Sequence, residues 1–264
     1  MPELPAVEAA RRSLVRTVAG KTIDRADVRR PAVLRTHSPR GLDRALRGRT
    51  IAGITRRGKA LWFQVDPAVL VFHYMLWGVV RFHVAGAVPD GGTSVLLRFG
   101  GGAALEFREL QLSTFSVLTP ERAEEAAEPG IDPLARGSTF EVFRAALGTR
   151  GVTRTALCNQ TRIAGIGNLW AHEILFHAGI RPDRPVAALT RPEMRGLYDT
   201  TRRVLRAAIA AGGEPGFHDA LGRPGRAPLS VYGRAGQPCP GCGGTVRDGR
   251  LGGRPTFSCP GCQR

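Results

Sequence analysis

Pro2 and Glu3, directly after Met1, set an amine and a carboxylate side by side at the end of the backbone. Removal of Met1, the usual fate of an initiator methionine ahead of so small a residue, would leave Pro2 as a free secondary amine. Such amino groups titrate near ~8, so an appreciable fraction is unprotonated at neutral pH and can attack an electrophilic carbon to form an imine. Glu3 is placed to move a proton on or off the group attacked. A second amine stands out by its rarity: Lys21 and Lys59 are the only lysines, and 36 of the 38 basic residues are arginine. Lys59 lies in Arg56-Arg57-Gly58-Lys59-Ala60-Leu61-Trp62, a basic turn leading into an apolar strand. That is a place for a catalytic or phosphate-binding ammonium, since arginine does not lose its proton near neutral pH. Lys21 reads as a surface residue.

Cys239-Pro-Gly-Cys242 and Cys259-Pro-Gly-Cys262 are two CxxC knuckles sixteen residues apart. Each knuckle turns two thiolates toward one ion, and the pair has the spacing of a tetrahedral four-cysteine zinc site. Disulfides are the alternative, disfavoured in an intracellular chain. Between the knuckles, Gly243 to Val246 and Arg254 to Ser258 read as two short strands of a ribbon too small to fold without its metal. Cys158, left over in an apolar stretch, fills space.

A third feature is Ala164-Gly165-Ile166-Gly167-Asn168. The two glycines permit a tight turn, with Asn168 in the place of a helix N-cap. Unpaired N–H groups at such a helix start hold phosphate, although Gly-x-Gly also serves as a plain turn.

The composition agrees with a phosphate-rich partner. Thirty-eight basic residues against 22 acidic ones leave a net charge of +16, and a polyanion is the partner that such a charge suits. Nucleic acid is the default. At 264 residues and 42% hydrophobic content the chain can form one large or two ordinary cores. No apolar run reaches membrane-spanning length, and no basic-then-apolar leader opens the chain, so the sequence predicts a soluble intracellular protein with no membrane partner.

These groups need elements to position them. Residues 5 to 18 suit a helix, with Val7, Ala10, Leu14 and Val18 at helical spacing and Gly20 after its end. From 22 to about 118, short apolar stretches alternate with Gly, Pro and Asp, as in an antiparallel sandwich or barrel; Ala60 to Val65, Val69 to His73, Val79 to Val84, Ser94 to Phe99 and Ala104 to Phe107 are examples. Residues 119 to 137 read as a polar linker. Helices follow, with capping boxes at Ser138-Thr139-Phe140-Glu141 and Thr190-Arg191-Pro192-Glu193.

Taken together, Pro2-Glu3-Leu4-Pro5, Gly58-Lys59, Gln160 with Ala164 to Asn168, Tyr232-Gly233-Arg234 and the knuckle closing on Cys262-Gln263 resemble the formamidopyrimidine-DNA glycosylase and endonuclease VIII family, in the family's order from residue 2 to 263. The resemblance implies an α+β fold: an N-terminal antiparallel β-sandwich with a leading helix at 1–118, a linker at 119–137, a helix-two-turn-helix domain at 138–230 and a zinc-ribbon β-hairpin finger at 231–264. It implies a bifunctional DNA glycosylase and abasic-site lyase of base excision repair. Pro2 would be the nucleophile, Glu3 the acid assisting sugar opening, and Lys59 the phosphate-binding or proton-shuttling amine. Asn168 and Arg254 would grip phosphates, with Gly165, Gly167, Tyr232 and Arg234 in the DNA-binding loops. One Zn2+ on Cys239, Cys242, Cys259 and Cys262 would be structural, its four thiolates leaving no open position. The partner would be damaged double-stranded DNA, the protein a monomer without nucleotide cofactor, and its place the bacterial cytoplasm, on the nucleoid.

Three features depart from the family pattern. A carboxylate usually follows the second proline, where this chain has Ala6. Met75, Leu76 and Trp77 sit together in the wedge that replaces the extruded nucleotide, closer to the contiguous triplet of the endonuclease VIII branch, and the later loop at 107–115 lacks an Arg-Arg-Phe run. Residues 216–229, where the purine-directed branch covers the base, read as a lid or a basic linker. A lesion-binding protein with lost or narrowed catalysis is the alternative that Ala6 and the altered wedge leave open.

Overall fold

Helix α1 (Leu4–Val18) forms where the apolar period predicts it, with Pro5 in its first turn, where a missing N–H costs nothing. Val7, Ala10, Leu14 and Val18 are fully buried. The structure, a computed structural model, describes residues 1–75, 78–86, 88–110 and 113–264. The chain divides into two compact units, residues 1–127 with 209–226, and residues 128–208 with 227–264.

The first unit holds two four-stranded antiparallel sheets. One has the order β1 (Ile23–Val28), β6 (Thr93–Phe99), β7 (Ala104–Arg108), β5 (Val79–His83). The other runs β2 (Gly53–Arg57), β3 (Ala60–Val65), β4 (Ala68–His73), β8 (Thr114–Leu118). Leu61, Phe63, Leu70 and Phe72 of the second sheet share a core with Val80, Val95, Leu97, Leu105 and Phe107 of the first, and Phe107 meets Phe72 with ring centroids 4.9 Å apart. Each such apolar side chain contributes about 1.5–3 kcal/mol by leaving water. A short helix, α2 (Pro39–Leu46), packs on β1.

The stretch expected to be a linker carries a helix, α3 (Pro120–Ala126), because Thr119 caps it, accepting from Arg122 N, and Ala123 packs on Trp62 and Val69. Residues 216–226, most of the stretch at 216–229 read as lid or linker, belong to this unit and reach its core. Phe217 and Ala220 are buried in it, and Ala220 is tied on both sides, its N–H donating to Ser13 Oγ at 3.1 Å and its carbonyl accepting from Phe82 N at 2.7 Å.

In the second unit, α4 (Phe140–Leu147) is capped by Thr139, one residue later than expected, because Thr139 Oγ1 faces Val142 N. α5 (Thr153–Leu157) leads to α6 (Asn168–His177), which is buried from Trp170 through Phe176. The capping box of α7 (Arg191–Ala210) forms as read, Glu193 accepting from Thr190 N at 2.8 Å. The finger is a hairpin of β9 (Arg247–Leu251) and β10 (Arg254–Ser258). β9 thus begins after the stretch expected to form it, because Gly243 and Gly244 close the first knuckle on Cys239. Among the described residues no helix is long and apolar enough to cross a membrane.

Candidate functional site

Pro2 is half-buried and Glu3 only 4% exposed at the head of α1. Glu3 occupies the N-cap position, yet its side chain makes no capping bond. Its carbonyl accepts from Val7 N, starting the helix, and its N–H donates to Glu214 Oε1 at 3.1 Å. A carboxylate from far along the chain therefore lies beside the first peptide of α1. Sequence reasoning missed Glu214, since nothing local marks it.

Farther along α1, Glu8 receives Arg11 at 2.8 Å, Arg12 at 3.2 Å and Arg56 of β2 at 3.3 Å. Burial pushes the Glu8 carboxyl up, but the three guanidiniums outweigh it and hold the carboxyl below its ordinary value. Arg56 in turn donates to Gly58 O at 3.1 Å, so a chain of charge-assisted bonds runs from α1 to the β2–β3 turn that carries Lys59. Gly58 has φ +53°, the left-handed conformation the turn requires. Lys59 is 4% exposed, unusual for lysine, and it lies close enough to His73 for its charge to be felt there. Burial first, then Lys59, lowers the His73 pKa to about 4. His73 is therefore neutral, and its Nδ1 accepts from Met75 N at 2.9 Å. That bond holds Met75, half exposed, in the left-handed region at φ +51°, a conformation costing a non-glycine residue about 1–2 kcal/mol. Of the expected wedge, Leu76 and Trp77 lie outside the described residues.

The remaining expected residues belong to the second unit. Asn168 is the first residue of α6, and Gly167, not Asn168, is its N-cap. The Asn168 carboxamide is thereby directed sideways: Nδ2 donates to Pro255 O at 3.1 Å, and Oδ1 accepts from Arg154 Nη1 at 3.4 Å. Arg154, 3% exposed and missed by sequence reasoning, also donates to Leu251 O. Asn168 is thus tied to the ribbon strand on which Arg254 stands exposed. His172 completes the junction. Its Nδ1 donates to Asn168 O at 2.5 Å and its Nε2 accepts from Thr256 Oγ1 at 2.9 Å, while burial lowers its pKa to about 4.

The glycine turn differs from expectation. Gly165, at φ +92°, donates its N–H to Gln160 Oε1 at 2.8 Å, so that group is not left for phosphate. Gln160 straps the turn, its Nε2 donating to Cys158 O and Ile166 O. Gly167 is buried. Tyr232 is half-buried and stacks edge-on to Phe257 at 5.1 Å. Its loop hangs on Glu173 of α6, 1% exposed, which accepts from Ser230 N at 2.7 Å, Val231 N at 3.0 Å and Tyr232 N at 2.8 Å. Arg234 uses its guanidinium within the same loop, donating to Leu229 O, Ser230 O, Gln237 Oε1 and Pro238 O. It braces the loop in which it stands.

The four finger cysteines converge, all Sγ atoms within 4.8 Å of one another. Cys239 and Cys262 are 3.7 Å apart and Cys242 and Cys259 3.4 Å, close to the edge of a tetrahedron with metal–sulfur bonds of about 2.3 Å. Without a cation the cluster resists ionising together. Cys242 and burial push the Cys262 thiol up to about 12, while Cys239 falls to about 7: burial raises it, but the Gly241 and Cys242 N–H groups outweigh that. Gln263 anchors the second knuckle, accepting from Cys259 N and donating to Ile180 O, both at 2.8 Å. These residues fit a metal ion.

Comparisons with known proteins agree with this geometry. The family model of the formamidopyrimidine-DNA glycosylase N-terminal domain matches residues 1–113, and that of the formamidopyrimidine-DNA glycosylase H2TH domain matches residues 130–217. The chain is 38% identical to the formamidopyrimidine-DNA glycosylase of Geobacter metallireducens, over 100% of both chains. It is 37% identical, over 100% of both, to the enzyme of that name from Desulfitobacterium hafniense. Among solved structures it is similar to Lactococcus lactis Fpg in complex with DNA containing an abasic site, with TM-score 0.90, 28% identity and 99% of each chain covered. A complex of a mutant of that protein with Fapy-dG-containing DNA gives TM-score 0.91 at 28% identity, covering 100% of each chain. The chain belongs to the formamidopyrimidine-DNA glycosylase family of base-excision-repair enzymes.

Proposed function

We propose that this protein is a bifunctional DNA glycosylase and abasic-site lyase that excises oxidised or otherwise modified bases from duplex DNA. The observation that carries the reading is the head of α1, where Pro2 directly precedes the buried N-cap residue Glu3, in the same unit as the one buried lysine among the described residues. After loss of Met1, the unprotonated Pro2 nitrogen attacks C1′ of an extruded nucleotide. The C1′–base bond breaks, its electron pair leaving on the base, and the proton that the Pro2 nitrogen sheds on bonding to C1′ passes to the base. Glu3 gives a proton to the sugar oxygen as the ring opens, leaving a cationic C=N bond between C1′ and Pro2. Successive β and δ elimination then expels the two flanking phosphates, with Lys59 binding a phosphate or relaying a proton.

Asn168 and Arg254 hold the phosphates beside the lesion, and Met75 to Trp77 replace the extruded base in the stack. The +16 charge supports binding to a polyanion. Zn2+ is the ion we assign to Cys239, Cys242, Cys259 and Cys262; bound there it supplies the fold of the ribbon that presents Arg254. The working form is a bacterial cytoplasmic monomer with no nucleotide cofactor, organised as a catalytic domain, a helix-two-turn-helix domain and the finger. The relatives whose structures hold abasic-site and Fapy-dG DNA support this lesion class.

Borohydride reduction on an abasic-site duplex tests the reading. The protein should become covalently attached, Pro2→Gly should lose at least tenfold in trapping rate, and Glu3→Gln should lose base release. Tight binding to that duplex without any trapping would overturn the reading in favour of a lesion-binding protein. Competition among purine and pyrimidine lesions in the same duplex ranks the substrates.

A further inference from the structure

We propose that Glu214 is the positioning carboxylate of the N-terminal amine: it fixes Glu3, and through it Pro2, and keeps a negative charge beside the nitrogen on which the cation forms. This rests on Pro2 being the nucleophile. Helix α1 has no acidic residue in its first turn, and its N-cap side chain makes no capping bond. Ala6, where the family usually has a carboxylate, supplies none. Helix N-termini carry unpaired N–H groups and a partial positive charge that favour an anion. Here the anion comes from 211 residues away, as Glu214 Oε1 accepts the Glu3 N–H at 3.1 Å. The Pro2 and Glu3 nitrogens are separated by three covalent bonds and so lie within about 4 Å of each other, which places the carboxylate oxygen within about 7 Å of the reacting amine.

The arrangement is built. Gly212 and Gly213 turn the chain at φ +82° and +97°, and a methyl group on Gly213 would lie 2.8 Å from Ala6 Cα, so a glycine is what lets this segment lie against α1. Glu214 is itself 7% exposed, and its carbonyl accepts from Phe217 N at 3.2 Å. Phe217 packs against Tyr74 with ring centroids 6.1 Å apart, and Ala220 is bonded to Ser13 and Phe82. Elsewhere in this unit Glu8 pairs with Arg11, Arg12 and Arg56, Asp219 with Arg223, and Glu106 with His83 and Arg108. His218 lies on the same segment, and Tyr74, whose ring meets Phe217, keeps its proton because burial and then Asp219 push its phenol up; Glu3 and Lys59 are buried in the same unit.

Glu214→Gln is nearly isosteric and can still accept the Glu3 N–H, but it lacks the charge. Borohydride trapping on an abasic-site duplex, at saturating DNA and across pH 5 to 9, compares it with the unaltered sequence. A negative charge within about 7 Å raises an amine's pKa by about half a unit to two units, so in the variant the rise of trapping with pH should move to lower pH by that amount. The maximal rate should fall about tenfold, because the developing cation loses its counter-charge, while affinity for the duplex stays within about twofold. Glu214→Asp, which keeps the charge, should follow the original profile. Should the glutamine variant not fold, Glu214→Asp and Glu214→Ser repeat the comparison with and without charge.

Superimposed profiles, or equal effects of the charged and uncharged variants, would overturn this inference alone. Failure of the unaltered protein to trap at any pH would overturn the reading of Pro2 itself.

Discussion

Glu173→Gln puts the loop that carries Tyr232 under a defined load. The carboxylate serves three backbone donors, Ser230 N on one oxygen and Val231 N and Tyr232 N on the other, and it is 1% exposed. A glutamine of the same shape has one oxygen. If that oxygen keeps Val231 and Tyr232, its NH2 group faces Ser230 N, donor against donor; if it keeps Ser230, two donors are stranded. The lesser choice removes one charge-assisted bond and leaves a buried N–H unsatisfied, a cost of about 2–4 kcal/mol. That free energy falls on local opening of the loop, because the finger cysteines and Gln263 hold their own bonds.

Amide hydrogen exchange reads it directly. In the variant the Ser230 amide, with Val231 and Tyr232, should exchange roughly 30- to 1000-fold faster, while α1 and the sheets of the first unit keep their protection. Exchange at all three amides within about threefold of the original would refute the assignment of Glu173 as the loop's anchor.

Two further predictions concern the second unit. His172 has a pKa of about 4 against 6.5 for the ordinary side chain, so the unfolded chain takes up a proton first as pH falls. Stability is full above about 6.5 and is lost toward about 4; between pH 7 and 5 the loss is about 2 kcal/mol, seen as faster exchange of the α6 amides and flattened by His172→Gln. Chelation of the metal, or Cys242→Ser, should abolish protection of β9 and β10 and weaken duplex binding at least tenfold, while circular dichroism melting of the first unit moves by no more than a few degrees. Equal loss in both units would count against a separate finger.

Legibility in the sequence followed the range of the interactions involved. The CxxC pairs, the helix read at residues 5 to 18 and the Thr190–Glu193 capping box are short-range patterns with one physical solution, and the structure has all three. Strands such as Ala60–Val65 were readable from apolar content, whereas β1, β2 and β8 place arginine, aspartate, serine and threonine on exposed edges and dilute the signal. A one-residue shift separated Asn168 from the cap position, because Gly167 adopts the extended cap conformation and frees the asparagine to reach Pro255. Arg154, Glu173 and Glu214 escaped notice for a common reason. Their partners lie 97, 57 to 59 and 211 residues away, and no window along the chain contains both ends.

The first unit is assembled from two stretches of chain, residues 1–127 and 209–226, with the rest of the second unit's helices encoded between them. During synthesis the sheets can close as soon as residue 127 has left the ribosome, but α1 lacks the segment holding Glu214 until nearly 100 residues later. A nascent or prematurely terminated chain ending before that segment would expose its amino terminus without the carboxylate at its side. Seating of the amino terminus beside that carboxylate therefore waits on polypeptide that reaches residue 214 and the segment around it.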